Sequence, residues 1–130
     1  MVRHPEKGGL HLKLVIRSVS VWGHPNIRTW EPSDPGVMTE VVHLDIGPKS
    51  GKGADAFTLR IATPAGLSSL NSKDGIVATR PLLVMSRYDF GDLWRWLEKI
   101  VSECEAESWP ASVQRLQRYF DWEFEGYREI

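Results

Sequence analysis

The segment Gly47-Pro48-Lys49-Ser50-Gly51-Lys52-Gly53 is where this chain comes nearest to a phosphate-binding loop. The spacing fails: Ile46 stands where the first glycine of such a loop belongs, and Gly53 where a serine or threonine would hold magnesium. The segment also leads into a strand-like run instead of a helix, so it reads as a plain hairpin turn with Lys49 and Lys52 exposed on it. The histidines are His4, His11, His24 and His43, and no two of them have metal-ligand spacing. The single cysteine, Cys104, offers no C-x-x-C, so neither a metal nor a cofactor is expected. A G-x-S-x-G nucleophile elbow is absent, and Cys104 lies on an apolar helical stripe, which suits a core thiol better than a nucleophile. Glu123 and Glu125 imitate a catalytic carboxylate pair, but nothing in the sequence places them in a cleft. No catalytic residue is assigned, and the expectation is a protein that is not an enzyme.

Those two glutamates belong to the segment Trp122-Glu123-Phe124-Glu125-Gly126-Tyr127, where large rings alternate with carboxylates. Chain ends are ordinarily small and polar, so three rings there need something to pack on. Trp122, Phe124 and Tyr127 read as fasteners of the tail, and in an extended tail Glu123 and Glu125 point away from Trp122 and Phe124, which makes them the better candidates for contact with a partner. The surrounding charge agrees. From residue 103 to 130 there are seven acids and three bases, against ten acids and thirteen bases before it. Glu103, Glu105 and Glu107 fall in this acidic pole and join the candidate contacts. So do Lys49 and Lys52, and Trp30 and Glu31 in the long loop of residues 23–36, since loops of that length often carry function.

These residues sit in a pattern of strands followed by helices. Leu10, Leu12, Leu14 and Ile16 alternate with polar or outward positions, and the apolar phase then flips to Val19 and Val21. This predicts a strand over Leu10–Trp22 with a bulge or bend near Arg17–Ser18. Val37–Ile46 and Ala54–Ala62 predict a hairpin about the glycine-rich turn. Thr63 as cap and Pro64 at the first helical position predict a short helix reaching Leu70. Asn71–Gly75 reads as a loop and Pro81–Tyr88 as a fourth strand, with Ile76–Ala78 open. Asp89 caps a helix whose stripe is Phe90, Leu93, Trp94, Leu97, Ile100, Val101 and Cys104. A last helix starts at Ser108-Trp109-Pro110 and runs to about Asp121, with Val113, Leu116 and Phe120 on its core face and Gly126 stopping any continuation. The expected fold is α+β: an antiparallel β-sheet of about four or more strands packed against two C-terminal α-helices.

At 130 residues, with no linker and no repeat, the chain is expected to be a single domain over 1–130. Six tryptophans are more than usual, so large rings are expected to dominate the core. A net charge of −1 argues against general nucleic-acid or membrane-surface binding. The lone cysteine excludes an internal disulfide, and the first nine residues show no apolar signal region, so the expected compartment is the cytoplasm.

Four stretches resemble the immunity protein 8 family of bacterial polymorphic toxin systems. Pro32-Ser33-Asp34-Pro35 is similar to its Pro-x-Asp-Pro, and Ile46-Gly47-Pro48-Lys49 with Gly51, Gly53 and Phe57 to its glycine-rich hairpin. Thr63-Pro64 with Leu67 is similar to its T-P-x-x-L, and Trp109, Leu116 and Trp122 to Tyr127 to its W…L…W-E-F-E-x-Y ending. The likeness runs from about Pro32 to Tyr127. The chain departs from the family at Ala54-Asp55-Ala56, where an acid and a serine are common, at Ala62 in place of cysteine, and at Gly66 in place of tryptophan. The resemblance implies a small cytoplasmic protein that binds one cognate toxin C-terminal domain, expected at 1:1, and neutralises it. Toxins of such systems, including those of contact-dependent growth inhibition, are frequently nucleases. An acidic pole is compatible with that, because a nuclease holds phosphates with a basic surface and complementary charge speeds and sharpens association. The competing reading is a non-catalytic adaptor that binds a cellular protein through the same aromatic-acidic end.

Overall fold

The computed structural model describes residues 11–70, 76 and 81–124. Strand β1 (Leu14–Val21) pairs antiparallel with β2 (Thr39–Pro48), and β2 with β3 (Asp55–Ala62). After β3 comes the one-and-a-half-turn helix α1 (Pro64–Ser68) and the short strand β4 (Leu82–Val84). Helix α2 (Phe90–Glu103), helix α3 (Trp109–Leu116) and strand β5 (Asp121–Trp122) complete the order. The sheet runs β1-β2-β3-β4, and β5 also pairs with β3. β4 holds Arg60 to Ala62 and β5 holds Phe57 and Thr58, so the two short strands share one edge of β3 end to end. The architecture is the α+β arrangement expected, with C-terminal helices on an antiparallel sheet. The pairing of β4 with β3 is parallel, and the connection between them, which contains α1, has the length such a crossover needs.

Sequence chemistry explains most element ends. Asp89 accepts the Asp92 N–H at 2.9 Å, Ser108 accepts that of Ala111 at 3.2 Å, and Thr63 accepts that of Gly66 at 3.1 Å. Each cap satisfies a donor that the first helical turn leaves orphaned. The phase flip in β1 is a bulge: Ile16 pairs with Ile46 and Ser18 with Asp45, leaving Arg17 as the extra residue. A bulge re-aims its side chain. Here the Arg17 guanidinium is turned over the β2–β3 hairpin, donating to the carbonyls of Pro48 (2.7 Å), Gly53 (3.2 Å) and Gly51.

Several expectations are corrected. The first strand begins at Leu14, with residues 11–13 outside it and Leu10 outside the described residues. β4 ends at Val84, short of Tyr88, whose N–H donates to Pro35 O at 2.8 Å and ties down the long loop instead. The predicted loop at 71–75 lies outside the described residues, as does 77–78. Helix α3 stops at Leu116 and does not reach Asp121. Residues 117–120 turn so that Phe120 packs edge-on to Phe57 and Trp96, which frees Asp121 to join the sheet. No tryptophan belongs to the buried core among the described residues. Phe57 and Phe120 sit there with Val42, Leu44, Ile46, Leu59, Ile61 and the α2 residues Leu93 and Leu97. Five tryptophans ring this core half-buried, which suits a side chain too large and too polar at its N–H to be fully enclosed.

Candidate functional site

The tail is fastened by its backbone and rings. Trp122 is the register partner of Phe57, and its indole N–H donates to Asp55 Oδ2 at 3.0 Å. Phe124 stands edge-on to Trp122 at 5.4 Å between ring centres. Glu123 does structural work too: its N–H donates to Ala56 O at 3.0 Å, and its Oε1 accepts the Ala56 N–H at 2.6 Å. The side chain thus takes the place of the next strand residue and caps the open edge of β3. Glu125 and Tyr127 lie outside the described residues.

The second set of acids sits on the opposite edge of the same end of the sheet. Glu105 is only 15% exposed; its Oε2 accepts the Leu14 N–H at 3.0 Å and its Oε1 lies 3.7 Å from Lys13 Nζ. Leu14 therefore turns its N–H outward, and Glu105 closes the start of this edge strand against pairing. Arg115 Nη1 donates to Glu105 O at 2.9 Å and holds the α2–α3 connection in place. Glu103 and Glu107 flank it, exposed. Between the two edges the hairpin turn presents Lys49 and Lys52 to solvent. β1, β2, β3 and β5 separate Glu105 from Glu123, so about 14 Å of sheet lies between them at ~4.8 Å per strand.

Trp30 and Glu31 sit at the other end, in the loop joining β1 to β2. Trp30 is half-buried, edge-on to Tyr88 with ring centres 5.0 Å apart, while Glu31 is exposed. Tyr88 is buried, and its hydroxyl has no hydrogen-bond partner among the described residues. Burial, with the nearby charges of Asp89 and Glu31, pushes its pKa up to about 12. The nine candidate contacts are therefore not one cluster: those described occupy two ends and two edges of the sheet.

Cys104 is buried in the core, and its thiol is pushed up to about 11 chiefly by burial, so it stays protonated at neutral pH and is a poor nucleophile. Among the described residues no three His, Cys, Asp or Glu side chains converge as metal ligands, and no helix is long and apolar enough to cross a membrane.

The structure reveals a surface that the sequence reading did not assemble. Inward residues of β1, β2 and β3 are buried, while their alternates form a second, accessible face of the sheet. One cross-strand row on it is Ser20, His43, Thr58 and Asp121; the next is Val41, Arg60 and Leu82. Trp22, the residue after β1, is 85% exposed. The period-two alternation marks this face along each strand, but the rows depend on register, which no single strand displays.

Two of the stretches that carry the family resemblance, the hairpin and the ending, meet in the structure. Phe57 of the hairpin pairs with Trp122 of the ending, Leu116 is buried beneath them, and Thr63-Pro64 starts α1. Asp34 accepts the Gly36 N–H at 2.9 Å, turning the chain into β2. At the departures, Asp55 takes the indole proton of Trp122, and Ala62 and Gly66 are buried. A family model described as immunity protein 8 matches residues 14–127, most of the chain. No curated protein and no solved structure matches it.

Proposed function

The chain belongs to the immunity protein 8 family, and from that premise we propose that it neutralises a cognate nuclease toxin in the bacterial cytoplasm by binding the toxin's C-terminal domain one to one. Membership implies an immunity protein directed against a toxin, acting as an inhibitor and not as a catalyst. The match over residues 14–127 is the observation that carries the reading. The charge distribution supports the nuclease: seven acids and three bases lie from 103 onward, and Glu103 and Glu107 are exposed. A nuclease must hold phosphates with lysine and arginine, so an acidic partner is steered to its working face and competes with nucleic acid there. Delivery of that toxin by a neighbouring cell, as in contact-dependent inhibition, belongs to the same proposal.

The test uses the purified full chain and the toxin domain encoded directly upstream of it. One molar equivalent should form a stable complex and abolish nuclease activity. A chain that neither binds that domain nor protects cells expressing it is not its immunity protein.

A further inference from the structure

The accessible sheet face combines features that a solitary domain does not need. At one end it carries Trp22, 85% exposed, with Leu82 and Val84 at 38% and 48%. Val41 and the stem of Arg60 lie in the same cross-strand row as Leu82, and Arg60 Nη1 is held by Thr39 Oγ1 at 2.8 Å. At the other end the polarity is acidic. Asp45 accepts the Ser18 hydroxyl at 2.6 Å, and the Asp121 carboxylate has no ion-pair partner among the described residues. Asp121 shares its cross-strand row with His43 and Thr58, between Asp45 and the apolar end. An apolar patch rimmed by polar groups marks an interaction surface, and tryptophan and arginine are among the residues in which binding hot spots are enriched.

We propose that this face, and not the fastened tail, is the surface that docks the toxin: Trp22 anchors it, and Asp45 and Asp121 meet basic side chains of the toxin. The proposal rests on the toxin-neutralising reading above and names its surface. Charge selects the occupant. The acidic end suits a protein whose exposed face is basic, as a phosphate-binding nuclease must be. The dimensions also fit. Strands β1, β2 and β3 of eight to ten residues, with the short β4 and β5 end to end beside β3, give at ~4.8 Å between strands and ~3.3 Å per residue a footprint of roughly 500 Å². Side-chain relief on that footprint brings the area towards the ~800 Å² per partner of a standard interface. The acids of the tail and of the α2–α3 connection are partly committed elsewhere, since Glu123 and Glu105 already accept backbone N–H groups of their own domain.

The experiment measures affinity of the full chain for the toxin domain encoded directly upstream, wild type first. Trp22→Ala and Asp121→Lys should each weaken binding at least tenfold and together abolish protection. Asp45→Lys, at a carboxylate that accepts the Ser18 hydroxyl, reads the same charge should Asp121→Lys disturb β5. Glu98→Lys and Lys99→Glu, exposed on α2, should stay within twofold of wild type. Melting temperatures of Trp22→Ala and Asp45→Lys should match wild type, which separates lost contact from lost fold. A wild-type chain that binds tightly, with open-face variants binding as tightly, overturns this surface and leaves the neutralising function standing. A wild-type chain that does not bind overturns both.

Discussion

Replacing Gly66 with alanine adds one methyl group and sets two effects against each other. Within a helix the change alone favours alanine by about 1 kcal/mol, so a roomy site would gain stability. Gly66 lies in α1, buried, and a Cβ there would stand 2.5 Å from the Met38 carbonyl carbon, 2.8 Å from Met38 N and closer still to Met38 O. The obstacle is backbone, so no side chain can swing aside. Met38 cannot retreat freely either: its O accepts the Thr63 N–H at 3.0 Å, and its N–H donates to Thr63 Oγ1 at 3.0 Å. The same Oγ1 caps Gly66. Overpacking of this kind costs about 1–3 kcal/mol, and losing two buried hydrogen bonds adds about 1 kcal/mol each. Less the helix gain, Gly66→Ala should destabilise by roughly 2–4 kcal/mol. For a domain of this size that lowers Tm by about 10 °C. Urea unfolding followed by circular dichroism measures the difference, with Ala65→Gly, exposed in the same helix, as the control expected to cost about 1 kcal/mol. A Gly66→Ala protein as stable as wild type, or more so, refutes the close approach of α1 to Met38.

Tyr88→Phe should leave stability unchanged or raise it by up to about 1–2 kcal/mol, since it removes a buried hydroxyl with no hydrogen-bond partner among the described residues. The wild type should also lose stability at high pH. The unfolded tyrosine ionises near 10 while the folded one holds its proton to about 12, so the contribution is full below pH 10 and falls as pH rises through 12; urea midpoints at pH 9 and 11.5 should converge in Tyr88→Phe relative to wild type. Arg17→Met should cost about 1–2 kcal/mol and speed amide exchange over residues 49–54, because three turn carbonyls lose a charged donor; exchange rates unchanged from wild type would assign the bulge no part in holding the hairpin.

The legible parts of the fold are those whose signal is local. The caps at Thr63 and Asp89 and the helix start at Ser108 were readable because each side chain satisfies a donor three residues away. The bulge at Arg17 was readable because one extra residue inverts the apolar phase of β1. The end of α3 was not, because Phe120 leaves the helix to reach Phe57, sixty-three positions earlier in the chain. Of the candidate contacts, Glu103, Glu107, Glu31, Lys49 and Lys52 are exposed as a contact must be. Glu105 and Glu123 look alike in sequence but are bonded to backbone N–H groups ninety-one and sixty-seven residues away.

By itself the sequence determined the α+β class, the hairpin, the helix starts and the family, because periodicity, caps and ordered short motifs are written within a few residues of one another. Tertiary structure alone decided that the tail's Glu123 completes the edge of β3, that five tryptophans ring the core without filling it, and that Ser20, His43, Thr58 and Asp121 share one open face. Strand register and the partner of each backbone donor are set by contacts between distant segments, and a surface exists only once those contacts have been chosen.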